Sequence, residues 1–153
     1  MVVYAHTRPG QAMVDVENGR TVITPEHLKD WCQAAGTKVT VRPVIDLNAE
    51  QSTPWYEPTD LMKEQARLRY GECAFVGCHR PARDDDADHI DAWPHGKTVS
   101  SNLAPLCRPH HRLKTFTAWT YRVVAGVGFV WTSPMGHTYL SPFVTDPPPR
   151  HTR

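Results

Sequence analysis

The sequence predicts an α+β domain closed by a bound metal more than by a large core. Three observations lead there. Two segments carry helix start and stop signals, a later segment reads as a β-hairpin, and residues 73–115 between them are rich in Cys, His and Asp but poor in core-forming residues. At 153 residues the chain is one domain, or one domain with an appendage. The expected organisation is an N-terminal extension over 1–58 with a short helix and strand, a main domain over 59–145, and an extended or disordered tail over 146–153.

Each element has a local reason. Thr24-Pro25 reads as an N-cap followed by proline at the first helical position, and Gly36 as a helix end, so a helix is expected from about Pro25 to Ala35. Lys38 to Leu47, KVTVRPVIDL, alternates well enough for a strand. Ala49 to Pro58 is polar and punctuated by proline, which reads as a linker. Thr59 can cap a second helix through Arg69 or Tyr70, with Gly71 closing it. Thr120–Val124 and Phe129–Ser133, joined by AGVG, form the hairpin, and His137–Leu140 can add a third strand.

Composition narrows the function. Hydrophobic residues make up 40%, enough for a modest core, while 14 prolines and 9 glycines favour loops over long helices. No stretch is long and apolar enough to span a membrane, so no membrane partner is expected. The start, MVVYAHTRPG, lacks the pattern of a secretory signal, so the expected location is cytoplasmic. Net charge is only +1, but it is unevenly spread. Residues 1–72 hold 8 Lys and Arg against 10 Asp and Glu; residues 73–153 hold 9 against 6. From Ala92 to Thr145 there is no carboxylate, while Lys97, Arg108, Arg112, Lys114 and Arg122 all fall there. A cation-only stretch beside clustered histidines can accept phosphates; a solvated face with few acids is the plainer reading.

Two ligand pairs stand out. Cys73-x4-Cys78 and Cys107-x2-His110 are separated by 28 residues. Zinc favours four N and S ligands in a tetrahedron, and in a reducing compartment such cysteines read as metal ligands. The alternative is a Cys73–Cys78 disulfide with Cys107 a buried thiol. Cys32 lies far from this set and reads as a small buried residue.

A second cluster surrounds it. DADHIDAW places Asp88 beside His89 in a strand-like stretch, Asn102 follows in SSNLAPLC, and His111 is left over once His110 is assigned. These residue types suit phosphodiester hydrolysis. A histidine titrating near neutrality can take a proton from an attacking water without metal activation of that water. A divalent cation touching the leaving oxygen and the phosphate stabilises the charge that develops there. Asp88 offers a hard oxygen and His111 a borderline nitrogen to such an ion, and Mg²⁺, Mn²⁺ or Ni²⁺ all suit that pair. Asn102 can hold the loop that aims His89. Each residue also has an ordinary role: a surface turn for the Asp-His pair, a helix cap for the Asn.

The run DHI…NL..LC..HHRLK resembles the signature of the HNH endonucleases, which share the ββα-metal fold. His89, Asn102 and His111 supply its three letters, and the flanking cysteine pairs are similar to those of zinc-bearing members. CAFVGCHRPARDDDADHI, NLAPLCRPHHRLKT, Trp119 and the WTSPMG turn are similar to a large group of bacterial HNH proteins, as are VTVRPVIDL and LMKEQARLRYGEC. In that group such a segment usually closes a longer chain with a helical N-terminal domain, which this sequence does not contain. A smaller departure is PHGKT, where the group often has a glycine pair.

The resemblance implies a zinc-stapled ββα-metal core with a small α/β extension before it and a β-hairpin or meander after it. It implies metal-dependent endonuclease activity on DNA, by nicking or double-strand cleavage. Its roles fall on matching positions: His89 general base; Asp88 and His111 ligands of catalytic Mg²⁺ or Mn²⁺; Asn102 loop positioning; Cys73, Cys78, Cys107 and His110 ligands of structural Zn²⁺. On the residues themselves, Arg108, Arg112 and Lys114 are expected to contact DNA phosphates, with weak sequence preference because no base-reading element is evident. Trp93 and Trp119 are expected to pack beside the site. Asp84-Asp85-Asp86 reads as a solvated turn, with Asp86 a lesser candidate to support His89. Two other readings stand beside this one: a zinc-stapled DNA-binding module without significant cleavage, and a structural zinc domain used for protein contacts. Nothing in the pattern fixes an oligomeric state.

Overall fold

The computed structural model describes residues 5–6, 13–16, 21–40 and 45–143, and the chain divides into two compact units at Val44/Ile45. In the first unit, β1 (Ala5–His6), β2 (Val14–Val16) and β3 (Thr21–Ile23) form an antiparallel sheet in that order. Helix α1 (Pro25–Gln33) follows, with Thr24 accepting from the His27 amide and proline at its start, as the sequence suggests. It buries no residue, so Cys32 is exposed rather than buried as expected. The strand expected over Lys38–Leu47 is absent at 38–40 and 45–47, and its middle lies outside the described residues.

The second unit is mixed α/β with small antiparallel sheets. β4 (Ser52–Thr53) pairs with β6 (Thr98–Val99), and β5 (Asp86–His89) pairs with β7 (Leu103–Leu106). Two helices flank the β5–β7 ladder, α2 (Asp60–Tyr70) and α3 (Arg108–Phe116). β8 (Thr120–Val124), β9 (Gly128–Thr132) and β10 (Thr138–Pro142) form a meander with β9 central, which extends the expected hairpin to three strands. No described helix is long and apolar enough to cross a membrane.

Helix α2 shows how sequence becomes packing. Thr59 accepts from the Met62 amide, and Gly71 at φ 73° closes the C-terminal end in a conformation that other residues resist. Met62, Gln65, Ala66, Arg69 and Tyr70 are buried, which is one helical stripe. Met62 and Ala66 meet Leu103 of β7.

The polar members of that stripe bind the preceding segment. Gln65 Nε2 donates to the Asp46 and Ala49 carbonyls at 2.8 and 2.9 Å, and Arg69 donates to the Leu47 carbonyl at 2.7 Å. Ser100 completes the network by donating to Gln65 Oε1 at 2.6 Å. The expected linker over Ala49–Pro58 is therefore part of the second unit, and the boundary falls before it rather than at residue 58. Its polar composition misled because its carbonyls find distant partners: Ala49 accepts from Gln65 of α2, Gln51 from the Ser100 amide and Tyr56 from Thr98.

The main core joins Tyr70, Ala74, Leu106, Tyr121, Phe129 and Trp131. Trp131 is fully buried, stacks on Tyr121 at 4.3 Å between ring centroids and donates to the Ala74 carbonyl at 2.7 Å. Trp119 packs between Phe75, Trp131 and Tyr139, so it belongs to this core and does not line the cleft of the expected active site. Trp131→Ala is expected to cost about 3–5 kcal/mol, read as a lowered chemical-denaturation midpoint. A loss below about 1 kcal/mol would show that Trp131 is not the keystone of this core.

Candidate metal centre and active-site cleft

The first centre is built at the junction of α2, the 73–78 turn and the start of α3. The Cys78 amide donates to the Phe75 carbonyl and Gly77 takes φ 70°, which folds Cys73 and Cys78 toward each other. Cys107 caps α3, and His110 follows within its first turn. The Cys107 amide donates to Cys73 Sγ at 3.4 Å. His110 Nδ1 lies 3.5 Å from Cys73 Sγ and 3.1 Å from Cys107 Sγ, and its ring stacks on Phe75 at 4.0 Å.

The four ligand atoms all lie within 4.8 Å of one another. A tetrahedral zinc with bonds of about 2.0–2.3 Å needs ligand separations of roughly 3.3–3.8 Å, so the set is close enough to hold a metal and its chemistry suits zinc. All the cysteines are free, which leaves the disulfide alternative without a bond. Burial pushes the Cys73 and Cys107 thiols up from their ordinary range. A dication among them reverses that by pairing with thiolate. Cys107→Ser is expected to reduce bound zinc from about one per chain to near none and to abolish the cooperative thermal transition of this unit. Full thermal stability in protein without zinc would contradict the staple.

The second cluster starts one residue later. Neighbours on a helix project about 100° apart, so His111 leaves the thiols. Its Nδ1 lies 2.8 Å from Asp86 Oδ2, and its Nε2 lies 3.4 Å from Asp88 Oδ1. Hydrogen bonding to Asp88 and Asp86 raises the His111 pKa against the effect of burial. Asp88 is buried in β5 and accepts at Oδ2 from Lys114 Nζ at 2.7 Å and from the Tyr121 hydroxyl at 2.9 Å. Burial works to raise its pKa, but the bonds from His111, Lys114 and Tyr121 hold it below the usual carboxylate value.

His89 is next to Asp88 but turns to other partners, as strand alternation requires. Its Nε2 lies 2.8 Å from Thr98 Oγ1, and that hydroxyl donates to the Tyr56 carbonyl at 3.3 Å. A hydroxyl has one proton, so in this arrangement it accepts from Nε2–H, which leaves Nδ1 as the basic nitrogen. Tyr56 also stacks on the ring at 5.3 Å, and exposed Trp93 lies 6.4 Å away. Burial lowers the His89 pKa and outweighs the pull of the Asp88 charge, so the ring favours the neutral form.

Asn102 fastens the intervening loop. Its Nδ2 donates to the carbonyls of Asp91 and Lys97 at 3.0 and 2.9 Å, and its Oδ1 accepts from the Asp91 amide at 2.8 Å. Gly96 admits that closure: a Cβ there would lie 2.0 Å from the Asp91 carbonyl oxygen.

The expected residues thus fall into two groups. Asp88, His89 and His111 gather with Asn102 behind them, and the zinc set gathers apart. His89 and His111 line one cleft of about 330 Å³ together with Tyr56, Lys63, Arg67 and Arg108. Three expectations need correction. Lys114 points inward to Asp88 and to the His89 carbonyl, so it does not present a free charge to phosphates. Asp86 supports His111 rather than His89. The acidic run is not a solvated turn, because β5 begins at Asp86 and Asp85 is buried. Arg108 and Arg112 are exposed, but only Arg108 lines the cleft, while Arg112 lies over the Phe116 ring. Tyr56, Thr98 and Tyr121 carried no local signal, because each reaches the site from an element remote in sequence.

Asp85 has a cost of its own. Both carboxylate oxygens are buried without a hydrogen-bond partner among the described residues. Burial, helped by Asp86 and Asp84, lifts its pKa to about 6 against the opposing charges of Arg80 and Arg67. The folded state therefore binds this proton more tightly than the unfolded chain. The stability that results is complete below the unfolded value of about 3.9 and is lost as pH rises through about 6. Asp85→Asn is expected to melt about 5 °C or more above the parent at pH 8, with the gap closing by pH 4. Equal melting temperatures at pH 8 would show that the carboxylate finds a partner in solution.

Comparison with known proteins adds kinship without a role. No family model matches the chain, and no solved structure does either. It is 39% identical over 127 residues to the uncharacterized protein Rv2100 of Mycobacterium tuberculosis, an alignment covering 82% of this chain and 22% of the relative. It is 43% identical over 135 residues to the uncharacterized protein Rv3776 of the same organism, covering 88% of this chain and 25% of the relative. The chain therefore spans about a quarter of the length of the curated relatives it matches.

Proposed function

We propose that the second unit is a metal-dependent endonuclease of the HNH type that hydrolyses DNA phosphodiester bonds. The observation that carries this reading is the convergence of His89 and His111 on one cleft, with Asp88 bonded between His111, Lys114 and Tyr121. The β5–β7 ladder followed by α3 matches the strand, strand, helix order that the resemblance implies.

His89 takes the proton of the attacking water at Nδ1, since Thr98 engages Nε2 and burial favours the neutral ring. Asn102 keeps the loop after His89 closed, and Tyr56 keeps its ring from rotating. Asp88 Oδ1 and His111 Nε2, 3.4 Å apart, are the atoms that would hold Mg²⁺ or Mn²⁺. Asp86 on Nδ1 fits that role, because a carboxylate on the far nitrogen is the usual way a ligating imidazole is oriented. Held there, such an ion would supply stabilisation of the negative charge that develops in phosphodiester hydrolysis.

One contact favours a second reading, a zinc-stapled DNA-binding module without cleavage. Lys114 already neutralises Asp88, where an ion would otherwise do so. Incubation with supercoiled plasmid separates the two. Nicking is expected with Mg²⁺ or Mn²⁺ and none with EDTA, and His89→Ala should slow it at least about 100-fold in a protein that still shows a cooperative melting transition. Metal-independent cutting, or full activity in His89→Ala, would contradict the assignment; plasmid retardation without cutting would support the binding module.

A further inference from the structure

We infer that the scissile DNA strand is held between α2 and the start of α3, with its phosphates on Lys63, Arg67 and Arg108. This rests on the endonuclease reading and moves the phosphate contacts away from Arg112 and Lys114.

Lys63 and Arg67 are four residues apart on α2, which places them on one face. That face is turned away from much of the Met62 and Ala66 packing, and both residues line the cleft that also holds His89 and His111. Arg108 lines the same cleft from the first turn of α3. Three cations from two helices thus border the cleft that holds the proposed reaction centre.

Their present partners are easily exchanged. Lys63 pairs with Glu57, whose side chain is 70% exposed. Arg67 lies 3.6 Å from Glu64, but Glu64 already receives two hydrogen bonds from Arg83 at 2.8 and 3.0 Å. Arg108 lies 3.2 Å from Asp86 and is itself 71% exposed. The Lys63 and Arg108 pairs each have a largely exposed member and contribute little, and Arg67 shares the half-buried Glu64 with Arg83 at a longer distance, so a phosphate can compete for all three cations. Lys114 differs, since its side chain is 13% exposed and bonded to buried Asp88. Arg112 is not among the residues lining the cleft. Three carboxylates share the cleft: Asp86 serves His111 and Arg108, Glu57 serves Lys63, and Asp85 is buried with its pKa raised to about 6, which reduces its charge toward an incoming phosphate.

The test measures binding of a fluorescent 30-base-pair DNA duplex by anisotropy across a salt series, in protein carrying His89→Ala so that the DNA stays intact. Adding Lys63→Gln and Arg67→Gln together is expected to weaken binding and to make the plot of log affinity against log salt shallower by about 2. Arg112→Gln should leave the slope unchanged, and Lys63→Arg with Arg67→Lys should restore it. An unchanged slope in the double Gln variant, or a loss in Arg112→Gln, overturns the inference. Plasmid nicking by the parent chain is scored in parallel. Nicking with an unchanged slope sinks the phosphate track alone, whereas a parent that neither binds nor nicks sinks the endonuclease reading with it.

Discussion

Three thiols and one imidazole, brought within ligand distance at the end of α2 and the start of α3, set the geometry of the second unit. The β5–β7 ladder lies between the two halves of this set in sequence, so closing the set closes the ladder's long excursion as well. The surrounding core is small and aromatic, with Trp131, Tyr121, Phe129 and Phe75 packed edge to face or stacked against one another. Such a core shields Cys73 and Cys107 from water, while the loop after His89 is fastened by Asn102. Shielding in turn makes thiolate costly unless a cation is present, so these thiols stay neutral until a metal binds.

The adjacency of His110 and His111 gives this clip a consequence beyond stability. One ring completes the thiol cluster and stacks on Phe75; the other crosses to Asp86 and Asp88. Rotation or slippage of α3 would disturb both clusters together. Tyr121 carries the same coupling through the core, since its ring stacks on Trp131 while its hydroxyl holds Asp88. Under the endonuclease reading, the reaction centre inherits its rigidity from elements that never touch substrate.

What the sequence disclosed follows the range of its signals. The cap at Thr59, the stop at Gly71, the turns around Gly126 and Gly136, and the ligand pairs are all local, and the structure places each as read. Asn102 was legible only through its order and spacing with His89 and His111, since alone it reads as a helix cap; its side chain donates to the Asp91 and Lys97 carbonyls. The failures are long-range. Residues 49–58 look like a linker until Gln65 and Ser100 are seen to hold Ala49 and Gln51, and Tyr56 then becomes a wall of the site. Lys114 looks like a surface cation because its partner lies 26 residues upstream. Asp85 looks solvated because two more acids flank it, and only the fold buries it.

The most direct test is anomalous X-ray diffraction from crystals of the protein grown with Mn²⁺, recorded at the zinc and manganese edges. The expected result is zinc bound by Cys73, Cys78, Cys107 and His110, and manganese at about 2.0–2.3 Å from Asp88 Oδ1 and His111 Nε2, on another side of α3. Manganese absent from Asp88 and His111, with Lys114 still seated on the carboxylate at saturating metal, would contradict the claim that one helix serves two metal centres.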